Sequence, residues 1–273
     1  MFEQSRIRTR RSAAANILEL IYHSVVREIR KGHSNALIGL LMNMLQAVML
    51  VAAFYVMFTM LGLKGMALRG DFIVFLMSGI FLFMTHVKAV GAVVGSEGPA
   101  SPMMKHAPMN TLIAIMGAAL ATLYNQTLTM LIVLLGYHVV LEPITIDRPI
   151  AAFGMFLIAW LTGAAVGVLF LAMKPWVPGV VGVLSSLYSR ANMVASGKMF
   201  VANQLPPTML ALFDWNPLFH AIDQARGFAF INYAPRNSSI DYPIYVALVL
   251  IVVGFMLEFY TRRHASESWG ARA

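Results

Sequence analysis

Apolar residues in this chain come in long blocks separated by short polar breaks. Leu37 to Leu61 is uncharged throughout and closes in a turn containing Gly62, Lys64 and Gly65. Phe72 to about Gly95 opens after Asp71 and carries Lys88 near its end. The uncharged run from His106 to Leu141 exceeds what a span requires, so it should include a loop approach or a tilted helix. Ile150 to Met173 is bounded by Pro149 and by Lys174 and Pro175, Val177 to about Phe200 holds Arg190 and Lys198, and Tyr242 to Tyr260 is stopped by Arg262 and Arg263. A hydrocarbon core of ~30 Å needs roughly 20 apolar residues of helix, and only helices or closed barrels satisfy their backbone there. The pattern therefore predicts an all-α integral membrane protein with six spans: residues 1–36 before the membrane, 37–260 within it and a tail at 261–273.

Three stretches outside the spans carry their own pattern. Ile17, Leu18, Ile21, Val25 and Ile29 recur at helical spacing, and Asn16 followed by Glu19 reads as a capping box. This predicts an amphipathic helix in the membrane interface with Arg27, Arg30 and Lys31 toward the headgroups. The loop Ser96 to Pro108 is stiffened by Pro99, Pro102 and Pro108, while Met103 and Met104 give it an adaptable apolar face suited to docking. The connection from Val201 to Asp241 is too apolar for an ordinary loop, and is expected to form two short re-entrant or capping helices broken near Asn216 and Pro217.

Composition agrees with a bilayer as the main solvent: 12% of residues are charged and the mean hydropathy is +0.72, whereas a soluble domain has roughly 25% charged residues. With both ends inside, twelve Lys and Arg fall in cytoplasmic segments and five (Lys64, Arg69, Arg148, Arg226, Arg236) in outer ones. That bias predicts N-in and C-in. The net charge of +8 then reflects orientation and affinity for anionic lipid, with no nucleic-acid partner implied. The absence of cysteine excludes disulfides and thiolate chemistry.

Little in the residues suggests chemistry performed by the chain itself. No lysine precedes Ser or Thr, so there is no Walker-type phosphate loop, and no two histidines stand at helical ligand spacing, so no metal site is expected. No Gly-x-Ser-x-Gly elbow occurs. Proton coupling usually needs intramembrane acids, and the one acid within a span, Glu258, lies four residues from Arg262 and is expected to pair with it. Residues suited to a hydrophilic path are the aromatics Tyr124, Trp160, Tyr188 and Phe200, with Trp176 and Trp215 as interfacial anchors, and the cations Arg190 and Lys198. About two helical turns, roughly 12 Å, separate the two cations, a spacing that suits an extended anionic polymer. Gly91 with Gly95, and Gly163 with Gly167, have the small-xxx-small spacing of close helix contacts.

Four stretches carry a resemblance over essentially the whole chain. Arg27, Glu28, Ile29, Ser34, Leu37, Ile38 and Gly39 open span one, and Phe75 to Ile80 reads FLMSGI in span two. Ser196 and Gly197 precede Leu205 and Pro206, and Asn216, Pro217, Leu218, His220, Ala221 and Ile222 lead to Arg226 and Gly227. In this the chain resembles the type-2 permease subunit of ATP-binding-cassette exporters, most closely the inner-membrane permease of capsular-polysaccharide export, with O-antigen exporters related. It departs from that pattern at Met42 and near Ala47, where relatives often carry Trp and Pro, and in having Lys88 and Lys198.

The resemblance implies a homodimer in the bacterial inner membrane, two copies of a separate ATPase that uses ATP and Mg, and a glycan path along the two-fold axis. Periplasmic and outer-membrane export proteins are further partners it suggests, and no cofactor is expected on this chain. It places Arg27, Arg30, Lys31, Met103, Met104 and Lys105 at the ATPase, and Asn216, Pro217 and Arg226 at an outer gate. Exporters of O-antigen, a teichoic-acid-like polymer, a lipid or a drug share this architecture; a proton-coupled carrier or a membrane enzyme lies outside it.

Overall fold

The computed structural model describes residues 10–31, 36–62, 71–98 and 110–264. Among them are nine α-helices, one short 3-10 turn and no strand. In order they are α1 (Arg10–Lys31), α2 (Ala36–Met60), α3 (Phe72–Val94), α4 (Thr111–Val140), α5 (Pro149–Met173), α6 (Pro178–Ala195), α7 (Pro207–Phe213), α8 (Pro217–Ala229) and α9 (Asp241–His264).

Local chemistry sets many of these limits. Asp71 caps α3 by accepting the Ile73 amide at 2.8 Å, and Asn110 caps α4 through Leu112 at 3.2 Å. Pro149, Pro178, Pro207 and Pro217 each stand in the first turn of a helix, where the missing amide costs nothing. The chain turns out of α2 at Gly62, whose φ of 66° favours glycine. Lys174 donates to the Val94 carbonyl at 3.1 Å, a cation at the C-terminus of α3.

Five helices are long and apolar enough to cross a membrane: α2, α3, α4, α5 and α9. By length and composition this is a membrane protein. The expected third span is one continuous 30-residue helix, α4. The expected fifth span is the exception, because α6 has 18 residues and ends at Ala195, five residues before the expected limit. Gly197, at φ 76°, reverses the chain there. At the far end α9 runs on to His264, past the arginines expected to stop it.

The core is the packing of α5 against α3, α8 and α9. Of the most apolar window of α3, 72% is buried, and of α5, 67%, against 17% for α2 and 22% for α9. Glycine permits the closest contact, since a Cβ on Gly163 would lie 2.4 Å from the His86 carbonyl oxygen and one on Gly167 2.7 Å from Val93. The pair Gly91 and Gly95 makes no such contact: Gly91 faces open space and Gly95 meets only carbonyls of its own helix. Glu258 does lie beside Arg262, at 3.9 Å.

Helix α1 also differs from expectation. It begins at Arg10, so Asn16 sits within the helix and caps nothing. It packs against α4, where a Cβ on Gly117 would fall 2.2 Å from Ser24 Oγ.

Candidate functional site

Helices α3, α6 and α8 meet in a junction built around Arg226. This residue is 1% exposed. Its guanidinium donates to the carbonyls of Gly197 at 2.8 Å, Phe200 at 2.7 Å and Lys198 at 2.7 Å, and lies 4.0 Å over the Phe75 ring. These are carbonyls of the turn that follows α6, so the arginine fastens that turn to α8. Burial draws the guanidinium down to about 10 while the Asp223 carboxylate pulls the other way, so it stays charged at neutral pH.

Asn216 completes the junction from the other end of α8. Its Oδ1 accepts the Leu218 amide at 3.0 Å as a helix N-cap, and its Nδ2 donates to Asn192 Oδ1 at 2.9 Å and to the Ala195 carbonyl at 3.0 Å. One residue therefore starts α8 and ties off α6. On the α3 side, Ser78 Oγ lies 3.5 Å from Arg226 Nε, and a Cβ on Gly79 would stand 2.8 Å from both Arg226 Nη2 and Lys198 Cα. The quoted stretches at 75–80, 196–197, 216–222 and 226–227, far apart in sequence, thus meet at one place.

Behind this junction, α8 and the loop after it form a second polar network. Buried Asp223 accepts from the Tyr233 hydroxyl and from Ser238 Oγ, the latter at 2.6 Å. Burial, with Asp223 alongside, pushes the Tyr233 hydroxyl well up. His220 accepts the Ser239 amide on Nδ1 at 3.0 Å, which leaves Nε2–H to donate to the Asp214 carbonyl and defines the neutral tautomer.

The expected path residues do not share one surface. Lys198 is 1% exposed: its Nζ donates to the Met193 carbonyl and lies 3.8 Å over the Phe83 ring. It neither reaches solvent nor lines up with Arg190, which is exposed and has no partner among the described residues. The two cations therefore do not share an exposed face. Phe200 is half-buried and stacks on Phe213 at 5.2 Å, and Trp160 donates to the Ala119 carbonyl at 2.8 Å, so both serve packing. Tyr124 is 53% exposed on α4. Trp176 donates to Thr261 Oγ1 at 2.8 Å and fastens the turn before α6 to α9.

Tyr188 has a partner that the sequence did not signal. His86, fully buried on α3, has Nδ1 at 3.1 Å from both the Ala159 carbonyl and Thr162 Oγ1. A carbonyl only accepts, so Nδ1 carries the proton and Nε2 accepts from the Tyr188 hydroxyl at 2.8 Å. The tyrosine is thereby fixed on α6 with its ring half-exposed.

At the α1 end, Lys31 donates to the Gly95 carbonyl at 3.4 Å and, with Arg27, pairs with Glu28 at 3.5 and 3.6 Å. Arg27, Arg30 and Lys31 line a groove of about 520 Å³ with His23 and Glu97, the latter in the first described part of the expected docking loop. Met103, Met104 and Lys105 lie outside the described residues. Arg226, expected at a gate, is wholly enclosed and holds helices together rather than lining an opening. No family model matches the chain, and no curated protein matches it.

Proposed function

We propose that this chain is the channel-forming permease subunit of an ATP-driven exporter of a bacterial surface polysaccharide of the capsule type. It works as an inner-membrane homodimer over two copies of a separate ATPase, with both ends in the cytoplasm. The observation that carries this reading is α6. Its 18 residues reach ~27 Å, close to the hydrocarbon thickness, and with the turn after it α6 serves as the sixth span. Yet most of α6 is exposed, and Arg190, with Ser186 and Gly182 on the same side, has no partner among the described residues. An unpaired cation at that depth disfavours lipid and favours a watery path or a facing copy. Such a path suits a hydrophilic polymer, particularly an acidic one.

The remaining parts fall into place around it. Helices α7 and α8 close the outer end, and the junction at Arg226 makes α8 move with α6. The groove on α1 gives the ATPase a handle at the inner end, and α1 carries that force into the bundle through its contact with α4.

The test is genetic and biochemical together. The chain should copurify with an ATPase, and surface polysaccharide should disappear when either the chain is removed or the ATPase is inactivated. Export that persists with a dead ATPase, or strong ATP hydrolysis by the purified chain alone, would overturn the proposal.

A further inference from the structure

A cavity of about 310 Å³ opens between α1, α2 and α4. Four polar side chains stand in its wall: Glu28, Asn43, Gln46 and Asn125. Asn43 Oδ1 takes a hydrogen bond from Lys88, which leaves the Asn43 amide hydrogens to donate. The amides of Gln46 and Asn125 have no partner among the described residues. All three amides belong to helices long and apolar enough to cross a membrane. Amides on membrane helices are costly wherever water does not reach them unless something bonds them, which gives the cavity the character of a ligand site.

The lining restricts the ligand. Each primary amide presents a donor and an acceptor together, and the Glu28 carboxylate adds acceptors, which is the complement of neighbouring hydroxyl groups. The cations beside the lining are already engaged by it, Lys88 by Asn43 and Arg27 and Lys31 by Glu28, and the described lining itself offers no Lys or Arg to hold a phosphate and no aromatic ring to face a quaternary ammonium. Next to the cavity, α2 exposes a continuous apolar ridge of Leu41, Met42, Leu45, Val48 and Met49, and Met42 belongs to both. A polar recess joined to an apolar ridge fits a lipid with its headgroup inward and its chains along the helix.

We infer that the cavity between α1, α2 and α4 seats the hydroxyl-rich headgroup of a glycosylated lipid whose acyl chains lie along the exposed face of α2. This deepens the export proposal, on which it rests for its link to transport: the lipid is either a resident membrane glycolipid or the lipid-borne end of the cargo. In both cases occupancy is felt by α1, since Glu28 belongs to the cavity wall and is the ion-pair partner of Arg27 and Lys31.

The test uses the full chain in nanodiscs of phosphatidylethanolamine and phosphatidylglycerol containing a minor fraction of monoglucosyl-diacylglycerol with the same acyl chains. Lipids retained after release are read by native mass spectrometry. The wild type should retain the glucosyl lipid preferentially, and Gln46→Leu and Asn125→Leu should each lower that retention roughly fivefold, the worth of about one hydrogen bond. Val249→Ala, on the exposed face of α9, should leave it unchanged. Gln46 is itself exposed, so its replacement by leucine spares the fold and keeps the test decisive if Asn125→Leu assembles poorly. Preference for phosphatidylglycerol or phosphatidylethanolamine, or equal retention by the wild type and Gln46→Leu, overturns the inference. Export measured in the same variants separates the two sources: a parallel fall assigns the cargo end, and intact export with lost retention assigns a resident lipid. Because retention needs no ATPase, failure of the export proposal would leave a positive retention result standing.

Discussion

The junction at Arg226 and the free side of α6 are joined by a few residues, yet they treat polar groups in opposite ways. At the junction a guanidinium, two asparagines and a buried lysine have partners for their polar atoms, most of them backbone carbonyls where α6 ends, with buried Ser196 Oγ the exception among the described residues. On α6, Arg190 has none among the described residues. Buried groups that are fully bonded fix one arrangement of helices, whereas an unbonded one in a membrane helix leaves a capacity for something outside the chain. By this criterion Arg226, Asn216 and Lys198 are structural, and Arg190, with the amides of Gln46 and Asn125, is available for binding.

The contrast breaks most readily at Arg226. Arg226→Met keeps much of the side-chain bulk but orphans the Lys198 and Phe200 carbonyls and leaves that of Gly197 with the Phe200 amide alone; at about 1–3 kcal/mol per buried orphan, a loss of roughly 2 kcal/mol or more is expected in thermal unfolding of the purified protein. Arg226→Lys should recover only part of it, because a single ammonium cannot match the guanidinium fork. Wild-type stability of Arg226→Met would mean that the junction does not hold α6 to α8.

Gly163→Val comes next. Its side chain would enter the backbone of α3 at His86, where even a Cβ stands 2.4 Å from the carbonyl oxygen. Overpacking of this kind costs about 1–3 kcal/mol, read as a lower unfolding midpoint. Because His86 holds Tyr188 from this same stretch, labelling of a cysteine introduced beside Tyr188 should also change. An unchanged midpoint would show that α3 and α5 can separate freely.

Asn216 sharpens the comparison, since one side chain performs two tasks. Asn216→Ala loses the cap of α8, typically ~1 kcal/mol, together with both bonds to the end of α6. Asn216→Asp keeps the acceptor for the Leu218 amide but has no hydrogens for Asn192 and Ala195. If the tie to α6 matters, the aspartate variant should export poorly while melting closer to wild type than the alanine variant does. Equal export by Asn216→Asp and wild type would reduce this residue to a cap.

What could be seen in advance follows the same division. The apolar blocks, Pro at helix starts and the break at Asn216 were legible because they depend on a few adjacent residues. The end of α6 was not, since an apolar run gives no sign that Gly197 will turn the chain at positive φ. Sequence position alone puts Lys198 on a hydrophilic path and Arg226 in an outer segment. Their burial depends on Phe83 and Phe75 of α3, more than a hundred residues earlier, and on carbonyls of that turn. The available signal was the pair Gly79, where a Cβ would meet the Lys198 backbone, and Gly197, at positive φ against the Phe219 ring. The partnership of His86 with Tyr188 was likewise invisible, because neither residue has a neighbour in sequence that requires it.

The smallest expected effect on stability falls at Arg190, and there the comparison bears on function. The side chain is exposed and has no partner to lose among the described residues, so Arg190→Gln should change stability by no more than about 0.5 kcal/mol. If its charge serves a hydrophilic path, export of an acidic glycan should nonetheless fall, with protein level and ATPase association normal, and Arg190→Lys should restore part of it by keeping the charge without the planar fork. A neutral glycan carried by the same machinery should be much less affected, which distinguishes attraction for the polymer from a general defect in opening. A marked loss of stability or of dimer in Arg190→Gln would place the residue against a facing copy. Full export of an acidic glycan by Arg190→Gln would take it out of the path altogether.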